Sequence, residues 1–176
     1  GNNLYENFPD FRQLKKAVND AKAIGETFKS DLEFDVRLLV DSNYSDFNKA
    51  IKQVEADIEP GSVVFFYFSG HGIAIDGANY LLPSDVPQPV IGEEQRLAGA
   101  SFAAEQVISR FQKKGAKAVF AVLDACRDNP FENESGKSAG GGGGLSKMDA
   151  AEGVFILFAA GVGQTALDRL SENDPN

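Results

Sequence analysis

The sequence predicts an α/β fold with a mostly parallel central sheet and helices on both faces. Two apolar runs without polar alternation, residues 63–68 and 118–123, are typical of strands that are covered on both faces. Segments whose apolar residues recur every three or four positions separate these runs, as amphipathic helices do. Because strands and helices alternate along the chain, the strands are expected to pair mainly in parallel.

Length and composition indicate one folded domain. The chain has 176 residues, of which 43% are hydrophobic and 24% charged. Its net charge of -9 disfavours nucleic acid and anionic membranes as partners. No apolar run approaches the roughly 20 residues of a membrane-spanning helix, and no signal peptide is visible, so a cytoplasmic location is expected. A single Cys excludes an internal disulfide and suits a reducing compartment.

The first helix is predicted from apolar residues at helical spacing between positions 14 and 28. Its start is left open, because Asn19 and Asp20 are more typical of the first turn of a helix than of its interior. Residues 34–40 follow with the composition of a strand. The N-terminal part is therefore expected to contribute one helix and one strand.

A second amphipathic helix, capped by Ser45, is predicted before the first central strand at residues 63–68. Residues 73–82 can form a short hairpin around the Asp-Gly pair at 76–77. Residues 83–99 contain three prolines and are expected to form a long loop.

The C-terminal half is predicted to repeat the helix-strand order. Ser101 is expected to cap a helix that ends at Gly115, and residues 118–123 form the second central strand. Residues 127–152, rich in glycine and small polar residues, are expected to be a flexible loop. Residues 153–160 form the last predicted strand.

The only His and the only Cys of the chain follow the two central strands. In an open parallel sheet, ligands bind beyond the carboxyl ends of the strands. If these two strands are neighbours, His71 and Cys126 face each other across a cleft. An imidazole that takes the proton of a thiol produces the nucleophile of acyl transfer. The backbone N–H groups of Gly72 and Cys126 are candidates for an oxyanion hole.

Position alone leaves simpler interpretations open. A lone Cys beside a buried strand is commonly an inert small apolar residue, and a lone His after a strand is commonly structural. Their occurrence at one sheet edge is what favours a catalytic pair. No Asn or Asp has a spacing that marks it as the residue orienting the imidazole, so a backbone carbonyl is expected to do so.

Two segments resemble the motifs of a known family. Residues 65–72 (Phe-Phe-Tyr-Phe-Ser-Gly-His-Gly) and 123–127 (Leu-Asp-Ala-Cys-Arg) resemble the histidine and cysteine motifs of the caspase-like cysteine peptidases, within the metacaspase, paracaspase and related bacterial (orthocaspase) branch. Residues 17–21, 80–85 and 155–160 resemble further landmarks of this family, in the same order. The resemblance implies a single caspase-like peptidase domain over residues 1–176, with a three-layer fold and cysteine endopeptidase activity.

The resemblance also implies a specificity. In the metacaspase and paracaspase branch, the pocket for the residue before the cut is acidic and accepts Arg or Lys, and its carboxylates map onto Asp20 and Asp124, with Ser69 as a polar contact. Without the resemblance, position alone favours the simpler interpretations, with Asp20 as a helix N-terminal charge and Asp124 as a strand-end turn residue. The substrate is expected to lie extended beside residues 159–161, which are Ala159, Ala160 and Gly161.

The chain departs from the family pattern in several places. The family has a strand before Gly1 and a further helix and strand after Asp168, so the domain is expected to be incomplete at both ends or to be completed by a second chain. Metacaspases often require calcium; no loop with calcium-ligand spacing is present, so a calcium requirement is left open, and no other cofactor is expected. In caspases the connection that corresponds to residues 127–152, between the large-subunit-like and small-subunit-like parts, is cut. Lys137 and Lys147 are therefore candidate self-cleavage sites.

Two other functions compete with a peptidase. A catalytically silent binding or scaffold module on the same fold is one, although the presence of both His71 and Cys126 argues against it. A flavodoxin-like receiver or nucleotide-binding domain is the other, but it requires a phosphate-binding glycine motif or paired Asp residues at the first strand, and neither is present.

Overall fold

A computed structural model describes residues 1–126, 145–146, 148 and 151–159, with the backbone alone at Phe11 and Cys126. Its elements are strands β1 (Val63–Ile75), β2 (Ala78–Leu81), β3 (Phe102–Ala103), β4 (Ala118–Cys126) and β5 (Val154–Phe158), helices α1 (Ala17–Ser30), α2 (Tyr44–Asp57), α3 (Glu94–Gly99) and α4 (Ala104–Lys113), and a short 3-10 helix (Asp10–Arg12). Within this part of the chain, the five strands form one sheet in the order β3-β2-β1-β4-β5.

The centre of the sheet is parallel, as the sequence predicts. β1 pairs in parallel with β4, and β4 pairs in parallel with β5. The remaining two pairs are antiparallel, because β2 returns from β1 through a tight turn and β3 then pairs with β2. Asp76 and Gly77 have φ angles of 51° and 82°, which the primed turns of two-residue hairpins require. The predicted hairpin is thus confirmed within an α/β fold.

Helices cover both faces of the sheet, which confirms the three-layer arrangement. On one face α1 packs against β1, and the Phe28 ring stacks on Phe65 with 3.9 Å between ring centroids. On the other face α2 and α4 bury their apolar sides in a shared core. That core includes Phe47, Ile51, Phe68, Val107, Phe111 and Leu123.

The central strands are longer than the apolar runs that predict them. β1 continues through His71 to Ile75, and β4 continues to Cys126. The expectation that the His lies in a loop beyond the strand is therefore wrong. Polar and glycine residues stay in the strand because β1 pairs with β4 at residues 69–71 and with β2 at residues 72–75. The ladder hydrogen bonds compensate for the weak strand propensity of these residues.

The strand predicted at residues 34–40 is absent. A cavity of about 310 Å³ lies between residues 34–39 and the first half of β1, so this extended segment does not reach the sheet. The C-terminal end of this segment contacts Gly1. The Gly1 ammonium donates to the Leu39 carbonyl at 2.9 Å, and the Asp41 N–H donates to the Gly1 carbonyl at 3.0 Å. Apolar composition predicts burial, but a strand also needs a partner along its whole length.

The start of α1, which the sequence left open, is at Ala17, and this places Asp20 in the first turn. The other two helix starts differ from those predicted from hydroxyl residues. α2 is capped by Asn43, whose side-chain oxygen accepts from the Asp46 N–H at 2.9 Å, so Ser45 lies inside the helix. Ser101 does not cap α4, because its hydroxyl donates to the Leu97 carbonyl at 2.8 Å. That bond closes α3, a short helix in the segment predicted to be a long loop.

The connection between β4 and β5 lies mostly outside the described residues. Of the predicted flexible loop at 127–152, the described residues include Leu145, which is 3% exposed and belongs to the core. This part of the segment is packed rather than loose. No helix in the described part of the chain is long and apolar enough to cross a bilayer.

Candidate active site

His71 and Cys126 occupy paired positions on neighbouring strands. The parallel register of β1 and β4 aligns Ser69 with Asp124, Gly70 with Ala125, and His71 with Cys126. The sheet therefore brings together two residues that are 55 positions apart in the sequence. This is the juxtaposition that the sequence predicts for the two central strands.

The His71 side chain is held by the N-terminal segment of the chain. It is 7% exposed, and its ring lies 4.6 Å from the Tyr5 ring and 5.5 Å from the Phe8 ring, measured between centroids. Its Nε2 lies 2.6 Å from the Arg12 carbonyl oxygen. Because a carbonyl only accepts, this contact assigns the ring hydrogen to Nε2 and leaves Nδ1 as the basic nitrogen. A backbone carbonyl was expected to orient the imidazole, and the carbonyl in contact with it is that of Arg12.

Two glycines beside His71 allow close packing. A Cβ built on Gly70 would lie 2.7 Å from the Tyr5 hydroxyl oxygen, which accepts a hydrogen bond from the His71 N–H at 2.7 Å. A Cβ on Gly72 would lie 2.8 Å from the Ala125 Cβ. Side chains at these positions would push the N-terminal segment or the neighbouring strand away from the His, so glycine is needed at both.

Polar side chains cluster beside the paired His71 and Cys126. Ser69 and Asp124 lie two positions before them, and Tyr67 lies four positions before His71. Asp124 Oδ2 accepts from the Tyr67 hydroxyl at 3.2 Å and from the Ser69 hydroxyl at 3.3 Å. Burial, followed by the negative charge of Asp124, raises the pKa of Tyr67, and the charge of Asp20 raises it further. Asp20 on α1 is therefore close enough to act on the same cluster. Of the three predicted pocket residues, Ser69 and Asp124 are thus in contact, and Asp20 lies within electrostatic reach of Tyr67 beside them.

Tyr67 is a member of this cluster that the sequence analysis missed. Its position two residues before Ser69 and four before His71 places all three on one face of β1, since strand side chains alternate. The alternation of side chains along the strand could have identified Tyr67 from the sequence. It did not, because the run at residues 63–68 was interpreted as buried on both faces.

Asn79 is a second residue that the sequence analysis missed. Its side chain is fully buried and its Nδ2 donates to Glu105 Oε1 at 2.9 Å and to the Ser146 carbonyl at 3.0 Å. Its Oδ1 accepts from the Ser146 N–H at 2.5 Å. The neighbouring Leu145 approaches Gly72, where an added Cβ would lie 3.1 Å from Leu145 Cδ2. Asn79 thereby fixes the chain after the glycine-rich run against the sheet beside the candidate site.

The remaining predicted positions are described only in part. Ala159 follows β5 and is exposed, but its N–H donates to the Leu123 carbonyl at 3.2 Å. That donor is therefore used within the sheet. Ala160 and Gly161, and the candidate self-cleavage residues Lys137 and Lys147, lie outside the described residues. Among the described residues, no group of three or more His, Cys, Asp or Glu could hold a metal ion.

Comparisons with known proteins agree with this fold. The chain matches the caspase domain (Peptidase C14) over residues 1–175 and belongs to that family. Membership supports a cysteine-type peptidase. A protein of a Desulfuromonadales bacterium, named a probable protease, is 29% identical to this chain over 91 residues. That match covers 49% of the chain and 10% of the relative, so the chain spans about a tenth of the relative's length.

Proposed function

We propose that this domain is a cysteine endopeptidase that hydrolyses peptide bonds after Arg or Lys. The observation that carries the proposal is the register that pairs His71 with Cys126, together with the Arg12 carbonyl that orients the imidazole. A thiol and an imidazole at paired strand positions are the minimum needed for nucleophilic acyl transfer. Metacaspase-like or orthocaspase-like character belongs to the same proposal, because it rests on the acidic pocket.

In the proposed reaction, the basic nitrogen of His71 takes the proton of Cys126, and the thiolate attacks the scissile carbonyl carbon. The carbonyl oxygen becomes an oxyanion, for which the N–H groups of Gly72 and Cys126 are the proposed donors. The His71 imidazolium then protonates the leaving amine as the C–N bond breaks. Water, deprotonated by the same imidazole, hydrolyses the thioester and regenerates the thiol.

The acidic cluster supports basic specificity. Asp124 and Asp20 supply two carboxylates to one region beside the candidate site, and Ser69 hydrogen-bonds to Asp124. A guanidinium or ammonium group between two carboxylates forms charge-assisted hydrogen bonds, and Arg gains more because it binds in a bidentate way. An acidic residue at this position would instead be repelled.

Peptides and protein segments are the proposed substrates, in an extended conformation beside residues 159–161. Because the Ala159 N–H already donates to Leu123 of β4, we propose that the backbone groups of Ala160 and Gly161 pair with the substrate. Self-cleavage after Lys137 or Lys147 is part of the proposal. The Asn79 contacts to Ser146 and the parallel pairing of β5 would keep the pieces together.

Completion of the domain, either by flanking residues or by a second chain, remains part of the proposal. The cavity beside β1 offers a place for one more extended strand, and the Gly1 hydrogen bonds to residues 39 and 41 already have the pattern of a parallel ladder. No cofactor is invoked for the chemistry, and a calcium requirement is tested by assaying the protein with calcium and with chelator.

A panel of peptides that differ only in the residue before the cut tests the proposal. We expect turnover of Arg and Lys peptides, no turnover of the matched Asp peptide, and complete loss of turnover in Cys126→Ala. Glu26→Gln, which changes an exposed residue of α1, serves as the active control. A folded parent protein that cleaves no peptide of the panel would favour the silent scaffold instead.

A further inference from the structure

We propose that Tyr67 is a specificity-determining residue that positions the Asp124 carboxylate for a planar guanidinium and thereby sets a preference for Arg over Lys. This inference rests on the proposed peptidase function and deepens it. Tyr67 matches none of the polar positions transferred from the family resemblance. The Tyr67 hydroxyl and the Asp124 oxygen that it contacts are the groups involved.

The two hydroxyls that bind Asp124 approach it from one strand. Tyr67 and Ser69 lie on the same face of β1, and Ser69 is aligned with Asp124 in the register of β1 and β4. Both donate to Oδ2, at 3.2 Å and 3.3 Å. Two donors on one oxygen restrict rotation of the carboxylate about its side-chain bond. The plane of the Asp124 carboxylate is then fixed by the two hydroxyls.

A fixed carboxylate plane matters more for Arg than for Lys. The guanidinium is a rigid planar fork whose paired N–H groups need coplanar oxygen acceptors. An ammonium group is a compact point charge with rotatable hydrogens, so it tolerates a carboxylate in several orientations. Loosening the Asp124 carboxylate should therefore weaken binding of Arg more than binding of Lys.

The phenol is suited to remain a donor. Burial and the negative charges of Asp124 and Asp20 raise the pKa of Tyr67 above its usual value of 10.0. The hydroxyl consequently keeps its proton at neutral and mildly alkaline pH, where a peptidase would work. A lost proton would place a third negative charge beside the two carboxylates, and the raised pKa prevents this.

Tyr67→Phe tests the inference because it removes the hydroxyl and keeps the ring. Tyr44→Phe is the matched control, since Tyr44 is the first residue of α2 and its ring stacks on Phe102 at 4.5 Å, away from the acidic cluster. The kcat and KM of two peptides that differ only in Arg or Lys before the cut are measured for the parent protein and both variants.

We expect Tyr67→Phe to lower kcat/KM about tenfold for the Arg peptide and about twofold for the Lys peptide, the loss of one hydrogen bond to a charged group being selective for Arg. The change should appear in KM, with kcat nearly unchanged, because the reacting groups are untouched. Tyr44→Phe should preserve the Arg-to-Lys ratio. A ratio in Tyr67→Phe that stays within about twofold of the parent overturns the role of Tyr67.

Ser69→Ala keeps the test decisive if Tyr67→Phe fails to fold. It removes the other donor to Oδ2 and should lower the same ratio in the same direction, and an unchanged ratio overturns the inference. A parent protein that cleaves neither peptide overturns the proposed function together with this inference, whereas cleavage with an unchanged ratio in the variants overturns the inference alone.

Discussion

The Nε2 atom of His71 lies 2.6 Å from the carbonyl oxygen of Arg12, a residue 59 positions earlier in the chain. A backbone carbonyl only accepts hydrogen bonds, so it orients the imidazole and selects its tautomer. The Tyr5 and Phe8 rings confine the same imidazole. The N-terminal segment is therefore part of the catalytic arrangement that we propose.

Loss of either proposed catalytic residue should abolish activity without loss of the fold. We expect Cys126→Ala and His71→Ala each to lower kcat on an Arg peptide on the order of 10⁴-fold, and the double variant to be no worse, because both act in one step. Peptide turnover and circular dichroism measure the two effects. Turnover by purified Cys126→Ala at the parent rate would contradict the mechanism.

Neutralising the acidic pocket should weaken selection of basic residues. Asp124→Asn or Asp20→Asn removes one partner of a desolvated pair with Arg, a change that typically costs about 2–5 kcal/mol of binding. kcat/KM on Arg peptides is the measurement, and the melting temperature should change little by comparison. Glu26→Gln, which removes one exposed negative charge elsewhere on α1, is the control for net charge. A parent protein that prefers Asp before the cut would contradict the pocket assignment.

The raised pKa of Tyr67 predicts a change of stability at alkaline pH. The folded protein holds the phenol proton more tightly than the unfolded chain, where the pKa is near 10.0. This contribution to the free energy of unfolding is complete below pH 10 and is lost as the pH rises through the higher pKa of the folded state. Urea unfolding of the parent and of Tyr67→Phe should therefore diverge above pH 10, with the steeper decline in the parent. Parallel declines would exclude a shifted Tyr67.

Asn79 should act as a clamp on the chain after the glycine-rich run. Asn79→Ala leaves the backbone of Ser146 and the Glu105 carboxylate without their buried partner, which typically costs about 1–3 kcal/mol. Thermal unfolding should show this loss, and limited proteolysis should cut near residue 146 faster than in the parent. Asn19→Ala, at an exposed position of α1, is the control. Equal proteolysis of Asn79→Ala and the parent would contradict a clamp.

Self-cleavage should occur in the connection between β4 and β5. On incubation of the active protein, we expect new N-termini after Lys137 or Lys147, with the two pieces remaining associated on gel filtration through β5 and the Ser146 contacts. Mass spectrometry identifies the cut. An intact chain in the active protein, or the same cut in Cys126→Ala, would exclude self-cleavage.

Local pattern predicted much of the site because its residues follow apolar runs in the sequence. The apolar runs at residues 63–68 and 118–123 located β1 and β4, and the residues that follow each run identified His71 and Cys126. Tyr67 was missed because a tyrosine inside an apolar run looks like core. Residues 34–40 were predicted as a strand for a similar reason, since composition reports the tendency to be buried and not the presence of a pairing partner.

The sequence by itself determined the alternation of strands and helices, the parallel centre of the sheet and the edge at which chemistry would occur, because these depend on the spacing of apolar residues along the chain. Only the tertiary structure decided that Arg12 orients His71, that Tyr67 and Ser69 share one oxygen of Asp124, and that Asn79 holds Ser146. Each of these contacts joins residues at least 55 positions apart. Hydrogen bonds are short and directional, so the relative placement of whole elements decides which distant donor meets which acceptor.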